Sequence, residues 1–206
     1  SAFDRTPPPV YDTTIGWRYP NARMEARFPL ISMGDTAENV AQKHGISRED
    51  QDRFALESHK KAARAWQDNA FAAEVLPVAV PQKKGDPVMF ARDECVRADA
   101  TIEALTKLAP VFRKGGTVTA GNSSPLNDGA AGLLLASSDV VERAGLVPMA
   151  RVVGTQTAGV DPSYMGEGPI PAVEKLCKRL GIAVNDVDLV ELNEAFAAQS
   201  LACIRT

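Results

Sequence analysis

The sequence predicts an α/β protein in which a charged, mostly helical region leads into a layered strand-and-helix core. Two observations carry this. From Gly115-Gly116 onward the density of charged residues falls and strand-sized apolar runs alternate with helical patterns, which is the signature of a parallel or mixed sheet covered by helices. Before that point the periodicity is helical and the composition charged, so a boundary is expected near residues 115–128.

Taken in order, residues 1–34 read as irregular: Pro7-Pro8-Pro9 favours an extended chain, and residues 12–18 have no clean period. Thr36 is placed to cap a helix reaching about His44 and stopped by Gly45. Ser47 with Asp50 resembles a capping box opening a longer helix to about Asn69, with Phe54, Ala55, Ala62, Ala65 and Trp66 on one face. Residues 75–80 read as a strand followed by the charged turn Lys83-Lys84-Gly85-Asp86-Pro87, and residues 102–108 as a short helix ended before Pro110. The core is expected as strand 130–137, helix 139–144, strand 150–155, helix 171–180, strand 187–192 and a final helix. No internal repeat is visible.

Composition excludes several classes of function. A net charge of -3 gives no global attraction to nucleic acid or to an anionic membrane surface. A membrane span needs about 20 apolar residues, whereas the longest run, 130–136, is strand-sized. The 3 cysteines, Cys95, Cys177 and Cys203, are odd in number, widely spaced and without a CxxC or Cys/His pattern, so no metal site is expected and a reducing, cytoplasmic setting fits. The start, Ser1-Ala2-Phe3-Asp4, lacks an initiator Met and any basic-then-apolar leader, which reads as a processed or cut N-terminus. With no GxGxxG or GKS/T loop, an unrelated nucleotide-binding α/β protein is disfavoured.

The residues that could carry chemistry lie in short motifs. Asn193-Glu194-Ala195-Phe196-Ala197-Ala198-Gln199 follows the apolar run 187–192, so Asn193 sits at an expected strand-to-helix handover. An ordinary N-cap would account for the Asn, but capping does not demand the Phe and Ala residues that follow. Gly121-Asn122-Ser123-Ser124-Pro125-Leu126-Asn127-Asp128-Gly129-Ala130-Ala131 is a polar loop entering an apolar strand, and could be no more than that. Tyr164-Met165-Gly166-Glu167-Gly168-Pro169-Ile170-Pro171-Ala172 has Gly and Pro spaced for a tight turn before a helix. Met33-Gly34-Asp35-Thr36-Ala37-Glu38-Asn39-Val40-Ala41 opens a helical pattern, and Arg97 stands in Asp93-Glu94-Cys95-Val96-Arg97, where a solvated surface role is the ordinary reading.

In this order and spacing, these motifs resemble the thiolase family, and the likeness runs from about Asp12 to Gln199. The resemblance implies a thiolase-like fold: residues 1–126 as the CoA-binding inserted loop domain of the N-terminal half, 127–147 as the last strand and helix of that half, and 148–206 as the beginning of the C-terminal half. It implies an acyltransferase that cleaves 3-oxoacyl-CoA with free CoA, or runs the reverse condensation, using CoA as substrate and no cofactor. By resemblance Asn193 holds a water that, with a His from a GHPxG motif, stabilises the thioester oxyanion. Ala195 and Phe196 line the pantetheine tunnel, Ser124 bonds a pantetheine amide, Ala120 touches the same arm, and Met33 lies over it. Met165 borders the acyl group, and Arg97 meets the adenosine end of CoA, a task suited to guanidinium. The chain departs from the family pattern at Ser32, where His is common, at Ser123, often Ala, and at Pro125, often Gly.

Neither His44 nor His59 stands in a GHPxG context, and no cysteine has the Gly-rich strand-to-helix setting of the family nucleophile. The expectation is therefore a central piece of a thiolase, inactive by itself, with the nucleophile encoded before Ser1 and the remaining catalytic motifs after Thr206. Its full-length form is expected to be a homo-oligomer acting on acyl-CoA and CoA. The segment Asp12-Thr13-Thr14-Ile15-Gly16-Trp17-Arg18 looks most like thiolases acting on 3-oxoadipyl-CoA, with Arg18, Arg23 and Arg27 as candidate partners for a distal carboxylate. The alternative is a non-catalytic CoA- or acyl-CoA-binding module of thiolase ancestry.

Overall fold

The structure, a computed structural model, describes residues 20–206. The expectations for Pro7-Pro8-Pro9 and for residues 12–18, Arg18 included, lie outside the described residues.

The N-terminal region is helical, as its periodicity predicts, and its caps explain the boundaries. A single turn, α1 (Ala22–Glu25), interrupts the stretch read as irregular; Asn21 caps it by accepting from the Arg23 amide at 2.9 Å. Helix α2 (Met33–Lys43) begins one turn earlier than predicted because Ser32, not Thr36, is its N-cap. The Ser32 hydroxyl accepts from the Asp35 amide at 3.1 Å, while Thr36 turns its hydroxyl back to the Met33 carbonyl at 2.6 Å. Gly45, with φ 62°, stops the helix as expected. In α3 (Arg48–Gln67) the Ser47 cap is present, accepting from the Asp50 amide at 3.0 Å. Its inward face differs from the apolar stripe predicted. Gln51, Asp52 and Ala63 are the buried positions, and Phe54, Ala55, Ala62, Ala65 and Trp66 are only half-buried.

An antiparallel hairpin follows, β1 (Val78–Val80) on β2 (Val88–Phe90), with Ala79 opposite Met89. The Thr101 hydroxyl caps α4 (Ile102–Thr106) by accepting from the Ala104 amide at 3.2 Å. Further on come α5 (Ser138–Arg143), a 3₁₀ segment (Pro162–Glu167), α6 (Pro169–Leu180), a 3₁₀ turn (Val184–Asp186) and α7 (Ala197–Arg205). Two prolines open α6, and Gly181, with φ 68°, closes it.

The predicted strands 130–137, 150–155 and 187–192 do not form. Among the described residues the sole sheet is the β1–β2 hairpin, and these three segments have no regular secondary structure and no ladder partner. Leu133, Leu134 and Leu135 are 91%, 86% and 75% exposed. An apolar run marks a chain suited to the interior of a sheet, but the ladder itself needs a second edge beside it.

The core sits where α2, α7 and the 3₁₀ segment meet. Val40, Ala41, Ile46, Ala198 and Ala202 are buried together, with Tyr164 and Leu201 packed against them. Small residues on the facing sides of α2 and α7 let the helices approach closely. Gly34, at the start of α2, is closely covered on another side, since a methyl group there would overlap the Phe112 ring.

Candidate functional site

The polar loop 117–124 is held from two sides. On one side Glu38, in the middle of α2 and only 4% exposed, accepts from the Thr117 and Val118 amides at 2.8 Å each and from the Thr117 hydroxyl at 3.0 Å. Such charge-assisted bonds to backbone donors account for a carboxylate at this depth. Gly116 is needed beside it, because a side chain there would collide with the carboxylate. On the other side the Asn122 amide group meets Asp52 of α3.

This anchored loop then joins the Asn193 motif. The Ser124 amide donates to the Ala195 carbonyl at 2.9 Å, and the Ala197 amide donates to the Asn122 carbonyl at 2.9 Å. Ser123 and Phe196 form an antiparallel bridge between them. Two motifs more than seventy positions apart therefore make one short backbone clasp. Asn193 itself is exposed and lies before this clasp. It is not the helix cap: α7 begins at Ala197, and Phe196 occupies the cap position. The neighbouring Glu194 carboxylate accepts from the Ser58 hydroxyl of α3 at 2.7 Å, fixing the chain direction at Asn193.

The other predicted residues are arranged around this clasp. Ala120 and Ser124 are exposed on the loop, and Ala195 and Phe196 are half-buried. The Phe196 ring meets Phe112 edge-on with centroids 6.1 Å apart, and Phe112 in turn covers Gly34, next to Met33. Met33 is 57% exposed at the start of α2, and Met165 is 49% exposed in the 3₁₀ segment. That segment is pinned to α2 by Asn39, which donates to the Ser163 carbonyl at 3.0 Å, and by Glu167, which pairs with Lys43 at 2.7 Å and His44 at 2.9 Å. Burial raises the Glu167 carboxyl, but its hydrogen bonds to Lys43 and His44 outweigh this and hold it below the ordinary value. Arg97 stands apart from the clasp, with an exposed side chain and its amide donating to His59 Nδ1 at 3.3 Å.

Ser32, at the position where the family pattern often has His, is occupied as the α2 cap. Cys203 is half-buried near the Gly166 carbonyl; burial is the main cause pushing its thiol up, with Glu167 adding to this and a Gln199 hydrogen bond opposing it. Cys177 is partly exposed on α6, and so less buried than its apolar neighbours suggest, while Cys95 is exposed. Among the described residues no group of His, Cys, Asp or Glu could hold a metal ion, and no helix is long and apolar enough to cross a membrane. A groove of about 380 Å³ between α2 and residues 113–117 contains none of the predicted residues; its one carboxylate, Glu38, is already engaged by the loop.

Sequence reading missed the residues that hold the site: Glu38, Arg48, Asp52, Asn122 and Phe112. Glu38 was in view within its motif, but nothing in a helical Glu signals that its partners are backbone amides far along the chain.

The family described as "Thiolase, N-terminal domain" matches residues 19–139, and "Thiolase, C-terminal domain" matches 146–206. The chain is 54% identical over 194 residues to a beta-ketoadipyl-CoA thiolase of Pseudomonas putida, covering 94% of this chain and 48% of that protein. It is 47% identical over 205 residues to the 3-oxoadipyl-CoA/3-oxo-5,6-dehydrosuberyl-CoA thiolase of Escherichia coli K12, covering 100% of this chain and 51% of that one. In structure it resembles the Bacillus anthracis acetyl-CoA acetyltransferase, with TM-score 0.82, 41% identity, and 97% of this chain against 52% of that one. Human mitochondrial 3-ketoacyl-CoA thiolase in complex with CoA gives TM-score 0.78 at 45% identity, over 85% of this chain and 43% of that one. The chain thus spans about half the length of the curated relatives it matches.

Proposed function

This chain belongs to the thiolase family, and from that premise we propose that it supplies the CoA-binding face and the oxyanion-stabilising Asn of a thiolase acting on 3-oxoacyl-CoA, with 3-oxoadipyl-CoA as the favoured substrate. The observation that supports this best is the clasp between residues 122–124 and 195–197, which sets Ser124 beside Ala195 and Phe196. A pantetheine arm needs an extended apolar wall with a few polar atoms at fixed positions, and the clasp offers both. The sequence division at 1–126, 127–147 and 148–206 follows from the same reading.

In thiolytic cleavage the bond between the α and β carbons breaks. The acyl group passes to a thiol and then to CoA, while the acetyl-CoA portion leaves as an enolate that takes up a proton. Negative charge therefore develops on a thioester oxygen, and a donor fixed beforehand stabilises it most. Asn193 suits this role through a bound water, because it is exposed ahead of the clasp and is not used as a cap. The acyl-accepting thiol is assigned to none of Cys95, Cys177 or Cys203. The 206-residue chain by itself is accordingly expected to be inactive. The full-length enzyme is proposed to be a homo-oligomer.

The test is the gene product carrying this chain, assayed with 3-oxoadipyl-CoA or acetoacetyl-CoA plus CoA. Asn193→Ala should lower kcat by about 10²–10³ with KM little changed. Ser124→Ala should raise the CoA KM by several-fold at most, as expected from ~0.5–1.5 kcal/mol for a neutral hydrogen bond. Arg97→Ala should weaken CoA more than shorter pantetheine thioesters. If Asn193→Ala leaves turnover intact and only weakens CoA, the oxyanion role is wrong. Alkylation-sensitive turnover by the 206-residue chain would show that one of its own thiols is the nucleophile.

A further inference from the structure

Asp52 is wholly buried in α3, and both of its carboxylate oxygens are used. Oδ2 accepts from Arg48 Nε at 2.7 Å, and Oδ1 accepts from Asn122 Nδ2 at 3.0 Å. Arg48 directs a further nitrogen to the end of α4, bonding the Leu105 carbonyl at 2.7 Å and the Leu108 carbonyl at 3.0 Å. Asn122, 3% exposed, is equally committed: Nδ2 also donates to the Thr117 carbonyl at 3.1 Å, and Oδ1 accepts from the Thr119 amide at 2.8 Å. Its backbone carbonyl takes the Ala197 amide at 2.9 Å. A single buried pair therefore connects α3, the end of α4, the 117–124 loop and the first turn of α7.

We infer that Asp52 is a positioning residue: acting through Asn122, it holds the Ser124 loop in register against residues 195–197 and so presets the proposed CoA-binding face. The role of that face rests on the function proposed above, whereas the clamp itself rests on hydrogen bonds alone. The chemistry at position 52 is specific. Two donors converge there, and only a carboxylate accepts from both. An amide of the same size would turn its own N–H toward either Arg48 or Asn122 and leave two donors facing each other. Helical propensity or packing would tolerate an amide at this site; the clamp would not.

The reciprocal exchange provides the decisive variant. Asn122→Asp alone sets two carboxylates against each other and takes the donor from Thr117. Combined with Asp52→Asn, the donor and acceptor trade places. The amide then on α3 can accept from Arg48 and donate to the carboxylate then on the loop, which still accepts from Thr119. The Thr117 bond remains lost, so recovery should be partial.

The experiment measures amide hydrogen exchange and CoA kinetics on the gene product carrying this chain, at a temperature where circular dichroism shows every variant folded. In Asp52→Asn, protection at the Ser124 and Ala197 amides should fall at least tenfold, with protection at His44 and Ile182 nearly unchanged. The CoA KM should rise about tenfold with kcat changed less than about threefold. Asn122→Asp should be worse on both readouts, and the double exchange better than Asn122→Asp. Uniform loss of protection at all four amides, or no recovery in the double exchange, would overturn the clamp. Selective loss and recovery of protection with the CoA KM unmoved would keep the clamp but refute its role in CoA binding. A gene product inactive as a thiolase would sink the proposed function while the exchange data still decide the clamp.

Discussion

Gly166→Ala tests how tightly the Met165 segment is seated on α2 and α7. A β-carbon built at Gly166 would lie 2.8 Å from Gln199 Cγ, 3.3 Å from Gln199 Cβ and 3.6 Å from Val40 Cγ2. Carbon atoms pack at about 3.5–4.0 Å, so Gln199 Cγ would have to retreat by roughly 0.7 Å or more. It has little room, since Gln199 is 7% exposed in the first turn of α7 and its Cβ moves only with the helix backbone. Overpacking of this kind costs typically ~1–3 kcal/mol, and replacing Gly by Ala in a helical turn returns roughly 0.5–1 kcal/mol. The net expectation is a loss of about 1–2 kcal/mol, seen as a lower midpoint in urea at unchanged slope. Gln199→Ala removes the obstructing Cγ together with a buried carbonyl oxygen that has no partner. In its background only the 3.3 Å contact with Cβ of residue 199 remains, so Gly166→Ala should cost much less. A double-mutant cycle reads this directly, with an expected favourable coupling of about 1 kcal/mol or more. If Gly166→Ala raises stability, or costs as much in the Gln199→Ala background as in the parent, the Met165 segment is not seated against Gln199.

Two further outcomes follow from charge and from exposed apolar surface. The folded-state value of Glu167 lies below its ordinary value of 4.5, so its pairing with Lys43 and His44 stabilises the chain above that value. This contribution is lost as pH falls through the folded-state value; an acid titration followed by near-ultraviolet circular dichroism should lose part of its slope in Glu167→Gln, and an unchanged acid limb would contradict the assignment. The unpaired apolar segments make the 206-residue chain prone to associate, with Leu133, Leu134 and Leu135 a run of three exposed leucines. Light scattering should show concentration-dependent association that Leu134→Lys reduces, whereas a monomer over a wide concentration range would refute it.

What the sequence made legible follows from the range of the forces involved. Helix ends at Ser47 and Gly45 are decided within a few residues, so capping chemistry locates them; the start displaced from Thr36 to Ser32 was a choice between two nearby hydroxyls. The strands failed because pairing is not local. Residues 130–137 have the composition of a buried strand, yet a strand is completed by its neighbour and not by its own side chains. Asn193 shows the converse. Its motif singled it out as a candidate, and the helix start at Ala197 removed the capping explanation for it.

The residues that hold the site were hidden because they look like surface. Arg48 and Asp52 are four apart on a helix, the spacing of an ordinary solvent-exposed ion pair worth a few tenths of a kcal/mol. Burial reverses the stakes. With Asp52 fully enclosed, removing either donor leaves an under-satisfied charge, a change that typically costs several kcal/mol, so the arrangement is intolerant of substitution even where its net contribution to stability is small. The same holds for Glu38, whose donors come from Thr117 and Val118. The apolar core around Val40 and Ala202 is mostly small side chains and could be repacked in several ways. Directional bonds to Glu38 and Asp52 cannot. They are what restrict the 117–124 loop to a single register, and it is the register, more than the burial, that brings Ser124 to Ala195.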